Sequence, residues 1–182
     1  MIYFVFPRSL RHSNLCLRPL RFADGRFIAA GLADAAILRA CGLSAPPSAS
    51  RFSLMWWIRR TYPLAYCIEL DDHRIGFLGL YRLRPRKSAS LSLAIFEETC
   101  RDCGYGTRAL NLLIRYLEQC RLLERLTVDV LPENPRAVNF WKKAGFRESS
   151  TSGGVLAMTR DLTLERFRPT RRCPRSTGRV LP

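Results

Sequence analysis

Apolar and polar positions alternate through the middle of the chain. PLAYCIEL (63–70), IGFLGLYR (75–82) and SASLSLAIF (88–96) follow a two-residue period, with DDHR as a turn between the first two. They read as successive antiparallel strands. Upstream, LCLRPL (15–20) reads as a strand and Asp24 as the cap of a helix through FIAAGL. SAPPSAS (44–50) is a loop, and Phe52, Met55 and Trp56 mark a second helix by their three- and four-residue steps. Downstream the period becomes helical again. Ala109, Leu112, Leu113, Tyr116, Leu117, Cys120 and Leu123 form one stripe. ERLTVDVL (124–131) is a strand, Ala137, Phe140, Trp141 and Ala144 a short amphipathic helix stopped by Gly145, and 146–150 with 154–160 a final hairpin around SSTSGG. The order is strand, helices, three-strand meander, helix, strand, helix, hairpin. It predicts an α+β domain around a mostly antiparallel sheet. Residues 1–13 read as an extension, 14–163 as the domain, and 164–182 as a basic tail too poor in apolar residues to pack.

Composition changes this picture little. The length of 182 residues suits one domain plus tails, and 47% apolar residues suffice for a core. The net charge of +15 is unusual, but only three of the 30 basic residues are lysines (Lys87, Lys142, Lys143). Enrichment so confined to arginine reflects base composition as readily as nucleic-acid binding, so no specific nucleic-acid partner is expected. A charge of +15 still favours anionic ligands in a cleft. A third of it lies between Arg160 and Pro182, where seven arginines face Asp161 and Glu165. The seven cysteines show no framework spacing, IYFVF near the start is too short for a signal peptide, and the apolar run Phe27–Leu43 is broken by Asp34 and Arg39. The expectation is a soluble, reduced, cytoplasmic protein without a membrane partner, as a monomer or homodimer.

Residues 100–110, CRDCGYGTRAL, admit two chemistries at one helix start. Cys100 and Cys103 form a C-x-x-C, the spacing of redox and metal sites. The preceding strand, however, follows a meander rather than a βαβ unit, and His12 and His73 lie far apart, so no metal is expected. Arg101, Gly104 and Gly106 form R-x-x-G-x-G. Glycines let a backbone approach a ligand, and the helix behind them offers unpaired N–H groups and a positive dipole end, suited to a pyrophosphate. The motif lacks the G-K-[ST] of a P-loop and the remaining glycine of a dinucleotide fingerprint.

Thirty residues beyond Gly104 stands NPRAVNFWKKAGF, Asn134 to Phe146. With R-x-x-G-x-G and the order of elements, it resembles the GNAT superfamily of acyl-CoA N-acyltransferases, closest to the branch of bacterial ribosomal-protein N-terminal acetyltransferases, over roughly residues 14–160. The resemblance implies a sheet with a splayed strand and acetyl-CoA as cosubstrate. It implies that Arg101, Asp102, Cys103, Gly104, Tyr105 and Gly106 cradle the pyrophosphate mainly through backbone amides. Leu93, Ala94 and Ile95 would pair with the pantetheine arm, and Asn134 and Arg136 would reach the coenzyme. Asn134 equally suits a helix N-cap, and Arg136 equally a solvated helix face. Asp102 stands where the family commonly has glycine, so its side chain is expected to point away from the phosphates.

Transfer to an amine needs a base and, for the leaving thiolate, an acid. Where many relatives have a tyrosine acid, this chain has Trp141, which cannot donate usefully and reads foremost as core. Tyr66, Tyr81, Tyr105 and water are the remaining proton sources. Asp129, in LTVDV, matches the glutamate of the ribosomal-protein branch and is the candidate base, against a plain solvent-facing carboxylate; Glu97 and Glu98 are weaker candidates. The acceptor, a small-molecule amine or a protein N-terminus, is expected between residues 28–58 and 149–154, with Phe52, Trp56 and Trp57 as candidate lining. Two other readings stand beside this one: a non-catalytic acyl-CoA-binding homologue, motivated by Trp141, and an RNA- or ribosome-binding protein, motivated by charge.

Overall fold

The computed structural model describes residues 9–40, 58 and 64–163. The helix around Phe52 and Trp56, the 44–50 loop, the tail, Cys41 and Cys173 lie outside the described residues.

Eight strands form a single sheet in the order β1-β2-β3-β4-β5-β6-β8-β7. They are β1 (Leu10–His12), β2 (Leu15–Pro19), β3 (Leu64–Leu70), β4 (His73–Arg84), β5 (Ser88–Ile95), β6 (Arg125–Val130), β7 (Arg147–Ser152) and β8 (Val155–Asp161). Every neighbouring pair is antiparallel except β5 with β6. Among the described residues the α-helices include α1 (Gly25–Leu32), α2 (Ala35–Ala40), α3 (Tyr105–Gln119) and α4 (Pro135–Lys143). This is the expected α+β architecture. Residues 10–12, read from sequence as extension, pair with β2 as an edge strand.

One face of the sheet packs against α3 and α4. From α3, Leu110, Leu113, Ile114 and Leu117 are buried against Leu78, Leu80, Leu91, Leu126 and Val128. Four such side chains contribute roughly 6–12 kcal/mol gross. The observed stripe takes in Leu110 and Ile114, while Leu112 and Tyr116 are only half-buried. The other face meets α1 and α2 through Ile28, Leu32, Ile58, Phe77 and Phe96.

Asp24 departs from its predicted cap. It precedes α1 but makes no side-chain cap bond there. Instead its two carboxylate oxygens accept from the Arg18 guanidinium at 2.7 and 2.9 Å, and one also accepts from the Arg21 amide at 2.7 Å. Arg18 also donates to Glu69 at 2.7 Å. Burial pushes the Asp24 carboxyl up, but Arg18 and the Arg21 amide outweigh it and hold it below its ordinary value. The group ties the start of α1 to β2 and β3. Removing one member of a buried ion pair costs on the order of 3–5 kcal/mol.

At Gly76 the neighbouring strand comes close. A Cβ there would lie 2.3 Å from the carbonyl oxygen of Ala94. Phe96 and Glu97 both donate to the Ile75 carbonyl, which holds the end of β5 against β4.

Candidate active site

The site begins where two strands part. β5 and β6 pair only at Ser88–Arg125, Ala89–Leu126 and Ser90–Thr127. The Ser90 and Thr127 hydroxyls close that pairing with a 3.0 Å hydrogen bond. Beyond it β5 runs on to Ile95 and β6 to Val130 with no strand between them among the described residues. The gap opens into a cleft of about 1060 Å³ whose lining includes Leu93, Ala94, Ile95, Gly104, Tyr105, Asn134 and Trp141. The predicted splayed strand is thus present, with all three of its named residues on the cleft.

The loop entering α3 forms the cleft's second wall. Gly104 takes φ +78° at the N-cap, a left-handed turn that glycine adopts without strain. A Cβ there would meet nothing within 4 Å, so the space above it is open. Arg108 is the first residue whose N–H is taken by the helix, by the Gly104 carbonyl. The amides of Tyr105, Gly106 and Thr107 therefore lack intrahelical acceptors and stand at the positive end of a 15-residue helix. Open space, free amides and a positive helix end fit a pyrophosphate. Thr107 also lines the cleft; it follows directly on the motif and was legible there.

Arg101 turns inward. Its guanidinium donates to the carbonyls of Ile95 at 3.2 Å and Phe96 at 2.9 Å and to Asp34 at 3.1 Å. It braces the end of β5 and leaves the cradle to main-chain groups. Asp102 does not point away as expected. Its carboxylate pairs with Arg136, on the first turn of α4, at 2.9 Å, and both residues line the cleft. Cys100 is half-buried on the cleft, and the Cys103 thiol is exposed, 3.4 Å from the Thr99 and Arg101 carbonyls. Both are free thiols.

Helix α4 supplies the opposite wall. The Asn134 side-chain oxygen accepts from the Ala137 amide at 3.0 Å, Pro135 fills the first turn, and Gly145 with φ +83° ends the helix. That cap uses the oxygen of Asn134 and leaves its NH₂ for the cleft it lines. Asn139 and Lys143 line the same wall. Trp141 is 7% exposed, edge-on to Phe140 at 4.8 Å and to Phe146 at 5.0 Å. Its bulk belongs to the core and one edge reaches the cleft.

Among the proton carriers, Tyr66 is sealed in the core, and burial pushes its phenol up to about 12. Tyr105 lines the cleft beside Gly104, with Arg108 stacked over its ring at 5.4 Å. Tyr81 is paired in register with Ser90, at the point of divergence. Asp129 lies two residues beyond Thr127 on the same face, the face of α1 and α2, and pairs with Arg82 at 3.2 Å. It is not part of the cleft lining. Glu97 and Glu98 are exposed on the loop past β5, and Glu98 faces Arg101 at 3.6 Å.

A GNAT acetyltransferase domain model matches residues 14–147. The chain belongs to the GNAT acetyltransferase family. An uncharacterised N-acetyltransferase of Methanocaldococcus jannaschii is 26% identical over 117 residues, 61% of this chain and 51% of that protein. The match thus spans about half of that relative's length. Two of the solved structures that share the fold show its range. The spermidine N-acetyltransferase of Vibrio cholerae, in complex with CoA and spermine, has TM-score 0.69 and 21% identity over 83% of this chain and 97% of that one. The Salmonella typhimurium acetyltransferase that modifies the N-terminal serine of ribosomal protein L7/L12 has TM-score 0.70 and 14% identity over 84% and 97%. Among the described residues no helix is long and apolar enough to cross a membrane.

Proposed function

We propose that this GNAT domain transfers an acetyl group from acetyl-CoA to a primary amine by direct attack in a ternary complex. The observation that carries the reading is the parting of β5 from β6 beside the open amides at the start of α3. Bound acetyl-CoA supplies the activated acyl carbon. The amides of Tyr105, Gly106 and Thr107 hold its pyrophosphate. The exposed edge of β5 at Leu93, Ala94 and Ile95 pairs with the pantetheine arm, and a β5 amide polarises the thioester carbonyl. The Asn134 NH₂ donates to the same arm. Asp129, held by Arg82 on the α1 and α2 face, takes the ammonium proton through a water. Trp141 shapes the wall but its indole supplies no proton, so the thiolate proton comes from water.

The relatives divide between acceptor classes: one was solved with spermine, the other modifies a protein N-terminus. The test is an acetyl-CoA consumption screen over an amine panel that includes peptides with free N-termini, run beside coenzyme-dependent melting. Wild type should be stabilised by acetyl-CoA, and Gly104→Trp, which fills the open space, should not. Equal stabilisation of both proteins refutes the cradle. Stabilisation without turnover of any amine favours the non-catalytic acyl-CoA-binding reading.

A further inference from the structure

For a chain of net charge +15, the described lining of the cleft is unexpectedly balanced. Among the described residues, six acidic and basic side chains line it: Asp34, Asp102 and Glu133 against Arg101, Arg136 and Lys143. Arg101 is committed to Asp34 and to two strand carbonyls, so it cannot turn to a ligand without releasing the end of β5. Arg136 is the other arginine among the described lining residues, and Asp102 already holds it at 2.9 Å. This pair connects the phosphate loop to the first turn of α4 at the cleft. Asp102 sits in the left-handed region, φ +61°, within the loop that offers its amides to the pyrophosphate.

We propose that Asp102 is a built-in counter-ion that a coenzyme phosphate must displace from Arg136. In the free protein the carboxylate occupies the guanidinium. On binding, Arg136 passes to a phosphate oxygen and Asp102 is left to solvent. On release, Asp102 recovers Arg136 and hastens departure of the product. The proposal rests on the coenzyme reading above and adds an affinity-setting residue to it. The exchange is feasible because the pair is exposed, 62% at Arg136 and 78% at Asp102. Such pairs hold by a factor of only about five or less, whereas a phosphate offers more charge and more acceptor oxygens. The remaining carboxylate also repels the bound phosphates, an effect screened by salt.

The test is calorimetric titration of CoA into wild type, Asp102→Asn, Arg136→Gln and the double variant, at low and high salt. Asn accepts left-handed backbone as readily as Asp, so Asp102→Asn should melt with wild type. Its CoA affinity should rise about threefold to tenfold at low salt and less at high salt. In the Arg136→Gln background the same change should give twofold or less. Pantetheine, which carries no phosphate, should bind all four proteins alike. Dephospho-CoA identifies the phosphate: the gain persists if the pyrophosphate takes Arg136 and vanishes if the 3′-phosphate does. Unchanged or weaker CoA binding by Asp102→Asn overturns the proposal alone when wild type binds CoA. Tighter pantetheine binding by Asp102→Asn also overturns it. A wild type that does not bind CoA overturns the coenzyme reading as well.

Discussion

Gly76→Ala tests whether the end of β5, proposed to pair with the coenzyme, is positioned by close backbone contact. The added methyl would lie 2.3 Å from the Ala94 carbonyl oxygen and 3.1 Å from the Ile95 Cα, where ordinary contact begins near 3.4 Å. The obstacle is main chain on both counts, so no rotamer change relieves it. β5 must retreat by about an ångström or β4 must bend. Overpacking of this kind costs about 1–3 kcal/mol, and backbone atoms set the upper end. Replacing a strand glycine returns about 0.5–1 kcal/mol of chain entropy, for a net loss near 2 kcal/mol. At about 2–4 °C per kcal/mol in a domain of this size, Tm should fall by roughly 4–8 °C. Because the shifted atoms are those of Ala94 and Ile95, CoA affinity should fall too. Gly106→Ala is the control: its Cβ would meet Leu93 at 3.4 Å, an ordinary contact, and alanine is the better helix former. Its Tm should match or exceed that of wild type. Thermal denaturation followed by circular dichroism decides. A Gly76→Ala protein melting within 1 °C of wild type, or a Gly106→Ala protein falling as far as Gly76→Ala, would refute the close-contact argument.

Two further substitutions address the chemistry. Asp129→Asn should leave Tm nearly unchanged, since its pair with Arg82 is exposed. It should slow acetyl transfer at neutral pH by about 10²–10⁴-fold, with partial recovery at high pH where free amine is abundant; a wild-type rate across that range removes Asp129 from the mechanism. Trp141→Tyr trades one ring of a nearly buried side chain for a hydroxyl, which should cost about 1–2 kcal/mol by loss of apolar area. It should retain transfer at a rate no lower than a few-fold below wild type, and loss of transfer in a folded, coenzyme-binding variant would show that the indole itself serves the reaction.

Short-range chemistry was legible in the sequence. The two-residue period marked β3 to β5, the helical period marked α3, and Asn134 at one end and Gly145 at the other bounded α4. Caps and periods act within a few residues, so the letters carry them. The glycines before α3 likewise announced a backbone open to a ligand beside unpaired helix amides, and Gly104 stands at that helix start. The depth of Trp141 was also readable, because its helix has one apolar stripe to bury.

Only the tertiary structure decided how charges pair and where strands separate. Asp24 looked like a helix cap until Arg18, brought beside it by the β2–β3 pairing, claimed both its oxygens. Arg101 looked like a cradle residue, but its partner Asp34 lies 67 positions away in the chain. Asp102 met Arg136 because the cleft walls, separate in sequence, converge in space. The gap itself is a matter of register: β5 and β6 share three residue pairs and then diverge, although nothing in either strand's own alternation marks Ser90 as the last. A side chain's local preference is set by its near neighbours along the chain. Ion pairs and strand registers are settled by which distant groups the packed core brings within a few ångströms, and no local pattern encodes that.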